Sequence, residues 1–125
     1  MKITGLKINI FSSQHKNAKR NWLIVRIQTD EGMEGIGEAS MLSQDPIVAS
    51  LLEEWAENYL VGKNPMNGEL HWTRLHQDNL GRGGRLFSTA LSGIDIALWD
   101  LRGKILGVRV YELLGGPYAQ RLRVY

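Results

Sequence analysis

The sequence predicts an α+β fold: a three-stranded antiparallel meander followed by a bundle of three to four helices. Two observations carry that prediction. Apolar and polar residues alternate through the first third of the chain, and apolar residues recur at helical spacing through the remainder. A third observation bounds it. The 125 residues contain no repeat and no low-complexity stretch, which suits one packed domain. With 43% hydrophobic and 22% charged residues the composition excludes a disordered or collagen-like chain.

The first strand is read from Leu6-Lys7-Ile8-Asn9-Ile10, where every second residue is apolar. Leu23, Val25 and Ile27 repeat the pattern around Arg26 and Gln28, and the apolar Ile24 suggests a strand covered on both faces. Between them, residues 12–21 read as a polar, basic loop, long for a hairpin tip. Thr29-Asp30-Glu31-Gly32 is a turn signal. A third strand is expected around Gly35-Ile36-Gly37-Glu38-Ala39, its glycines permitting a twist or bulge.

Asp45 reads as a helix N-cap with Pro46 at the first helical position. Val48, Leu51, Leu52, Trp55 and Tyr59 follow at helical spacing, and Gly62 closes the helix. Pro65-Met66-Asn67-Gly68 separates it from a weaker pattern over residues 70–80. The strongest stripe is Phe87, Ala90, Leu91, Ile94, Ala97, Leu98, Leu101 and Ile105. Ile96 and Trp99 widen it, so this helix is expected to be buried on most sides, with Gly107 as its stop. A short turn over residues 110–114 ends at Gly115-Gly116-Pro117, and Leu122-Arg123-Val124-Tyr125 opens like a strand.

Composition excludes several kinds of chemistry. Without cysteine there is no disulfide, thiolate nucleophile or cysteine-based zinc site, a composition that permits a cytoplasmic protein. No apolar run approaches the roughly 18 residues that span a bilayer, so no membrane association is expected. The net charge of +2 comes with one basic knot, Lys16, Lys19 and Arg20, and no basic stripe interleaved with aromatics, so no nucleic-acid partner is expected.

Candidate motifs are few. Gly35-x-Gly37-Glu38 lacks the third glycine and the following helix of a dinucleotide fingerprint. Gly81-Arg82-Gly83-Gly84-Arg85 precedes the strongest helix. It reads either as a flexible lead-in or as an anion site built from helix N–H groups and guanidinium groups, and it is no Walker loop. His71 and His76 are five apart and fall on different helix faces, while His15 in the long loop could touch a ligand. Asp95 and Asp100 diverge on one helix, and Glu53, Glu54 and Glu57 form a solvated charge run. Asp95, a helical neighbour of Trp99, needs a partner, an arginine being the candidate. By spacing alone the chain carries neither a catalytic residue nor a metal site.

One segment is more specific. Ser92-Gly93-Ile94-Asp95-Ile96-Ala97-Leu98-Trp99-Asp100-Leu101-Arg102-Gly103-Lys104, then Gly107 and Tyr111-Glu112-Leu113-Leu114-Gly115-Gly116, resembles the end of the N-terminal domain of the enolase superfamily. Within it, the chain is similar to the mandelate racemase / muconate lactonizing enzyme group. Thr29-Asp30-Glu31-Gly32 with Gly35-Ile36-Gly37-Glu38 resembles that group's second hairpin, and Asp45-Pro46 through Tyr59-Leu60-Val61-Gly62 its first helix. The resemblance implies a capping domain over residues 1–119, with residues 120–125 opening the first strand of a (β/α) barrel absent from this chain. It implies that the barrel supplies the acid/base residues and three carboxylates for Mg²⁺, which stabilises the enediolate formed when the proton α to a carboxylate is removed.

The resemblance further implies that two loops, residues 12–21 and 40–44, close over the barrel mouth and select substrate. His15, Lys16, Lys19 and Arg20 would then suit an anionic substrate such as a sugar acid, and Trp22 would line the pocket or pack in the core. Arg82-Gly83-Gly84 is similar to the same segment of sugar-acid dehydratases, although Arg85 stands where those relatives often place a proline. The resulting expectation is the cap of a Mg²⁺-dependent sugar-acid dehydratase, a homo-oligomer acting on a small carboxylate. The alternatives are a racemase, epimerase or cycloisomerase of the same superfamily, or a stand-alone module without catalysis.

Overall fold

The computed structural model describes residues 1–15, 18–78 and 84–124, with the backbone alone at residues 14, 15, 18 and 19. Strands β1 (Ile3–His15), β2 (Ala18–Thr29) and β3 (Glu34–Glu38) form one antiparallel sheet in the order β1-β2-β3. Helices α1 (Asp45–Trp55), α2 (Gly68–Asp78), α3 (Arg85–Leu106) and α4 (Val110–Leu113) follow. The expected meander and helices are both present.

The alternation of β2 places Leu23, Val25 and Ile27 on one face, and all three are fully buried. Against them lie Ile94, Ala97, Leu98 and Leu101 of α3, with Val48, Leu52 and Trp55 of α1 completing the core. Trp55 meets Phe87 with ring centroids 6.0 Å apart. The opposite sheet face carries Trp22, Ile24, Arg26 and Ile36, where Arg26 pairs with Glu34.

Residues 12–21 do not form the expected loop. Outside the undescribed residues 16 and 17 the strands run on as a two-stranded ribbon, pairing Phe11 with Trp22, Ser12 with Asn21, Ser13 with Arg20, Gln14 with Lys19 and His15 with Ala18. Only residues 24–28 of β2 pair with β3, so the ribbon projects beyond the third strand. Its polar sequence hid it, because a ribbon wetted on both faces needs no apolar alternation once cross-strand pairing satisfies its backbone.

Gly35 and Gly37 mark no bulge; the β2–β3 register runs without interruption. They let α3 lie directly on β3. A Cβ at Gly35 would sit 2.1 Å from the Ala97 carbonyl oxygen, and one at Gly37 would sit 2.1 Å from that of Gly93. A Cβ at Gly93 in turn would meet the Ala39 side chain at 2.7 Å. These three glycines form a seam along which helix and strand backbones touch.

The first helix also departs from expectation at its start. Gln44 occupies the cap position, and Asp45 is the first helical residue, its carboxylate turned back to accept the Met41 N–H at 2.7 Å. After Trp55 the helix continues as a π-helical turn, Ala56–Leu60, before Gly62. Gly62 N–H donates to the Ile3 carbonyl and Ile3 N–H to that of Lys63, tying this turn to β1. Helix α3 ends at Gly107 in the left-handed conformation, φ 68°, as its sequence predicts. It is less enclosed than expected, since Ile96 is 46% exposed and Trp99 half-buried. Beyond α4, Tyr118, Leu122 and Val124 are almost wholly exposed.

Candidate functional site: a groove at the ribbon root

Three segments meet where the ribbon leaves the sheet. Arg20 and Trp22 share one face of β2, two residues apart, and the Arg20 guanidinium lies 6.0 Å from the centre of the Trp22 ring. The stretch after β3 supplies Ser40, Met41 and Leu42, and the first turn of α3 supplies Arg85. Together with Asn21 and Glu38 they line a groove of about 200 Å³. An adjoining hollow of about 300 Å³ shares Glu38 and Ser40 and is also lined by Ala39, Ser88, Thr89 and Ser92.

The backbone behind the groove is pinned. Ala39 N–H donates to the Leu23 carbonyl at 2.9 Å, and Ser40 N–H to the Glu38 carboxylate at 2.8 Å. The Ser40 hydroxyl oxygen accepts the Leu23 N–H at 2.9 Å, which leaves its own hydrogen free to donate. Met41 N–H is held by Asp45, and Gln44 N–H returns to the Met41 carbonyl at 2.9 Å. The groove thus has a fixed wall carrying a hydroxyl group and an apolar tip, and a facing wall with the Arg20 guanidinium, an indole and an amide. Arg85 adds a second guanidinium. Such a set suits an anion bearing several hydroxyl groups.

Of the six candidate binding residues, the structure brings Arg20 and Trp22 into this groove. Trp22 is 43% exposed there and takes no place in the core. His15 and Lys19 occupy ribbon positions by register, whereas Lys16 and Arg82 lie outside the described residues. Arg85, which the sequence offered only within the alternative anion-site reading of residues 81–85, also lines the groove. Sequence reasoning missed Asn21 and Glu38, whose signal was position alone, since each borders a segment expected to line the site.

A second concavity, about 660 Å³, is lined by residues of β3, α3 and the α4 region. Ile36, Ile96, Trp99, Val110 and Leu114 give it apolar walls, and Asp95, Asp100 and Lys104 its polar rim. Asp100 accepts the Ile36 N–H at 2.7 Å and pairs with Lys104 at 2.6 Å, while Lys104 donates to the Glu34 carbonyl at 2.9 Å. The expected arginine partner of Asp95 is not paired with it: Arg102 is stacked 4.5 Å from the centre of the Trp99 ring, donates to the Met66 carbonyl at 3.2 Å and acts on the carboxylate through its charge. Burial nevertheless holds the Asp95 carboxyl above its ordinary range, with Glu69 pushing the same way against Arg102 and Trp99. His71 is buried and bonds through Nε2 to the Asn64 carbonyl at 2.9 Å; His76 stacks on Trp72.

Among the described residues no group of three or more His, Cys, Asp or Glu could hold a metal ion. Asp95 and Asp100 are committed to other partners, so these residues do not fit a Mg²⁺ centre. No helix among the described residues is long and apolar enough to cross a membrane.

Comparison with known proteins gives one consistent answer. Residues 5–115 match the family model described as mandelate racemase / muconate lactonizing enzyme, N-terminal domain. A D-galactonate dehydratase from Variovorax paradoxus is 42% identical over 104 residues, 83% of this chain and 27% of that protein. A crystal structure of a candidate dehydratase from Mesorhizobium loti superposes with a TM-score of 0.90 at 36% identity, over all of this chain and 33% of its own. The 3,6-anhydro-D-galactonate cycloisomerase from Zobellia galactanivorans superposes with a TM-score of 0.83 at 30% identity, over 93% of this chain and 32% of its own. The chain therefore spans about a third of the length of the relatives it matches.

Proposed function

Since the chain belongs to the mandelate racemase / muconate lactonizing enzyme family, as its N-terminal domain, we propose that it is the substrate-capping part of an enzyme that dehydrates a sugar acid. The observation that carries this reading is the placement of Arg20 and Arg85 on one groove with Trp22, Asn21 and Ser40. The guanidinium groups would bind a carboxylate or draw hydroxyl oxygens, the indole would cover a C–H face, and the Ser40 hydroxyl would donate to the sugar chain. Lys16, Lys19, His15 and Arg82 would add positive or polar groups around the same mouth. Closing the cap would exclude water and complete the substrate contacts.

The reaction proposed removes the proton α to the carboxylate and expels the β-hydroxyl group as water. The resulting enol tautomerises to a 2-keto-3-deoxy acid. The base, and the carboxylates for the Mg²⁺ expected from the family, would come from a barrel beyond this domain, with residues 120–125 opening its first strand. When bound, the metal would stabilise negative charge on the substrate carboxylate. The apolar concavity at Ile96, Trp99 and Leu114 would seat part of that barrel, because the exposed Leu122 and Val124 leave the fold just after Leu114. The enzyme would work in the cytoplasm as a homo-oligomer.

Assay of the full-length enzyme against aldonates and aldarates tests this reading. Release of a 2-keto-3-deoxy acid from D-galactonate or a close relative is the expected result. The likeness to a cycloisomerase supplies the competing reading, so lactone rearrangement or epimerisation without loss of water would overturn dehydration.

A further inference from the structure

The segment that forms one wall of the groove is held in a conformation its sequence does not favour. Leu42 has φ 47°, the one non-glycine positive φ among the described residues, and its side chain is 63% exposed at the groove rim. A leucine in the left-handed region is strained and persists only where surrounding bonds impose it. Those bonds hold the residues before it, and Gln44 N–H spans it to reach the Met41 carbonyl at 2.9 Å. Ser40 is fixed to β2 and β3, and the next amide, Met41 N–H, is taken by Asp45 Oδ1 at 2.7 Å.

Asp45 itself lies outside the groove. It is fully buried at the start of α1, and its Oδ2 has no partner among the described residues. An aspartate at a helix start ordinarily faces its own helix's free N–H groups in water. Here the carboxylate reaches back four residues instead, and an unpaired oxygen is left inside the protein. Burying a carboxylate is unfavourable, and a clamp on the strained segment is what the arrangement gains.

We infer that Asp45 is a positioning residue for substrate recognition: it locks residues 40–42 so that Leu42 and Ser40 present a fixed wall to the substrate. The inference rests on the reading of the groove as a substrate contact. Asp45 reaches the ligand only through Met41 and Leu42, so its loss should weaken binding more than chemistry.

The test uses the full-length enzyme with Asp45→Ala and Asp45→Asn, followed by amide hydrogen exchange over residues 38–45 and by steady-state kinetics on D-galactonate. Asn keeps the Oδ1 acceptor and Ala does not. Asp45→Ala should speed exchange at Met41 roughly tenfold or more while the sheet core stays protected. It should raise KM roughly tenfold with kcat within about twofold, and Asp45→Asn should restore both. A second measurement guards against simple loss of fold. In a Leu42→Gly background the positive φ carries no penalty, so the effect of Asp45→Ala on Met41 exchange should shrink. Unchanged exchange at Met41 in Asp45→Ala would overturn the inference. So would equal damage by Ala and Asn, or protection lost throughout the sheet. If the wild-type enzyme turns over no sugar acid, the proposed function fails alone, and exchange at Met41 still decides whether the clamp exists.

Discussion

Gly37 shows how little room single residues have where α3 crosses β3. A methyl group there would lie 2.1 Å from a backbone oxygen that cannot swing away. Gly37→Ala should therefore destabilise the domain by about 1–3 kcal/mol or more, the usual range for overpacking, read as a lower denaturant midpoint. Asp95 gives a pH signature. The folded state holds its proton more tightly than the unfolded chain, whose value is near the ordinary 3.8. Its contribution to stability is thus fully present below that value and disappears as pH rises through the folded pKa. Wild type should gain stability relative to Asp95→Asn as pH falls through that window; a flat difference would contradict the burial argument. In the groove, Arg20→Ala and Arg85→Ala should each raise KM for the sugar acid by roughly tenfold, about 1.4 kcal/mol. Equal kinetics in wild type and both variants would remove them from the site.

The third strand is an edge, and edges invite other strands to pair. Here α3 blunts it with Asp100 on the Ile36 N–H and Lys104 on the Glu34 carbonyl. Asp100→Ala should cost about 0.5–1.5 kcal/mol, the net worth of an ordinary hydrogen bond, and increase light scattering on mild heating. Element type was legible wherever one face is buried: the stripe from Phe87 to Ile105 and the alternation in Leu23, Val25 and Ile27 both gave the right structure. The ribbon was illegible because both its faces meet water and periodicity carries no information there. Gly35 and Gly37 were visible, but their purpose was not, since a close approach depends on what packs across from them. The same limit applied to the groove. Arg20 and Trp22 could be named from a resemblance and Arg85 from a candidate anion motif, whereas their meeting in one groove depends on where α3 begins relative to the ribbon.

At the scale of the whole molecule, one group of exposed apolar residues borders the large concavity. Ile36, Ile96 and Leu114 are each at least 43% exposed around the large concavity, and Tyr118, Leu122 and Val124 follow it in the chain. Patches of this kind mark surfaces that another part covers. The isolated 125-residue chain should bind a hydrophobic dye and self-associate, and Ile96→Asp should reduce both. In the full-length enzyme the same substitution should lower the melting temperature. If Ile96→Asp were silent there, the concavity would not be a seat for the barrel. Fold class and family membership were readable at this scale because the signature around Asp95, Trp99 and Asp100 serves the domain's internal packing. The identity of a substrate was not, because the chain spans only about a third of the length of the relatives it matches.

The glycine seam also acts as a ruler. At positions 35, 37 and 93 the backbones of α3 and β3 lie in contact, and the strand leads on to Ser40 and Leu42 while the helix opens at Arg85, so the seam couples two elements that carry groove residues. Any bulk added at positions 35, 37 or 93 would slide the helix along or away from the strand and resize the mouth without touching its lining. Varying only the lining would therefore overlook these three positions, and a structure of a variant with added bulk at any of them should show a groove of changed width.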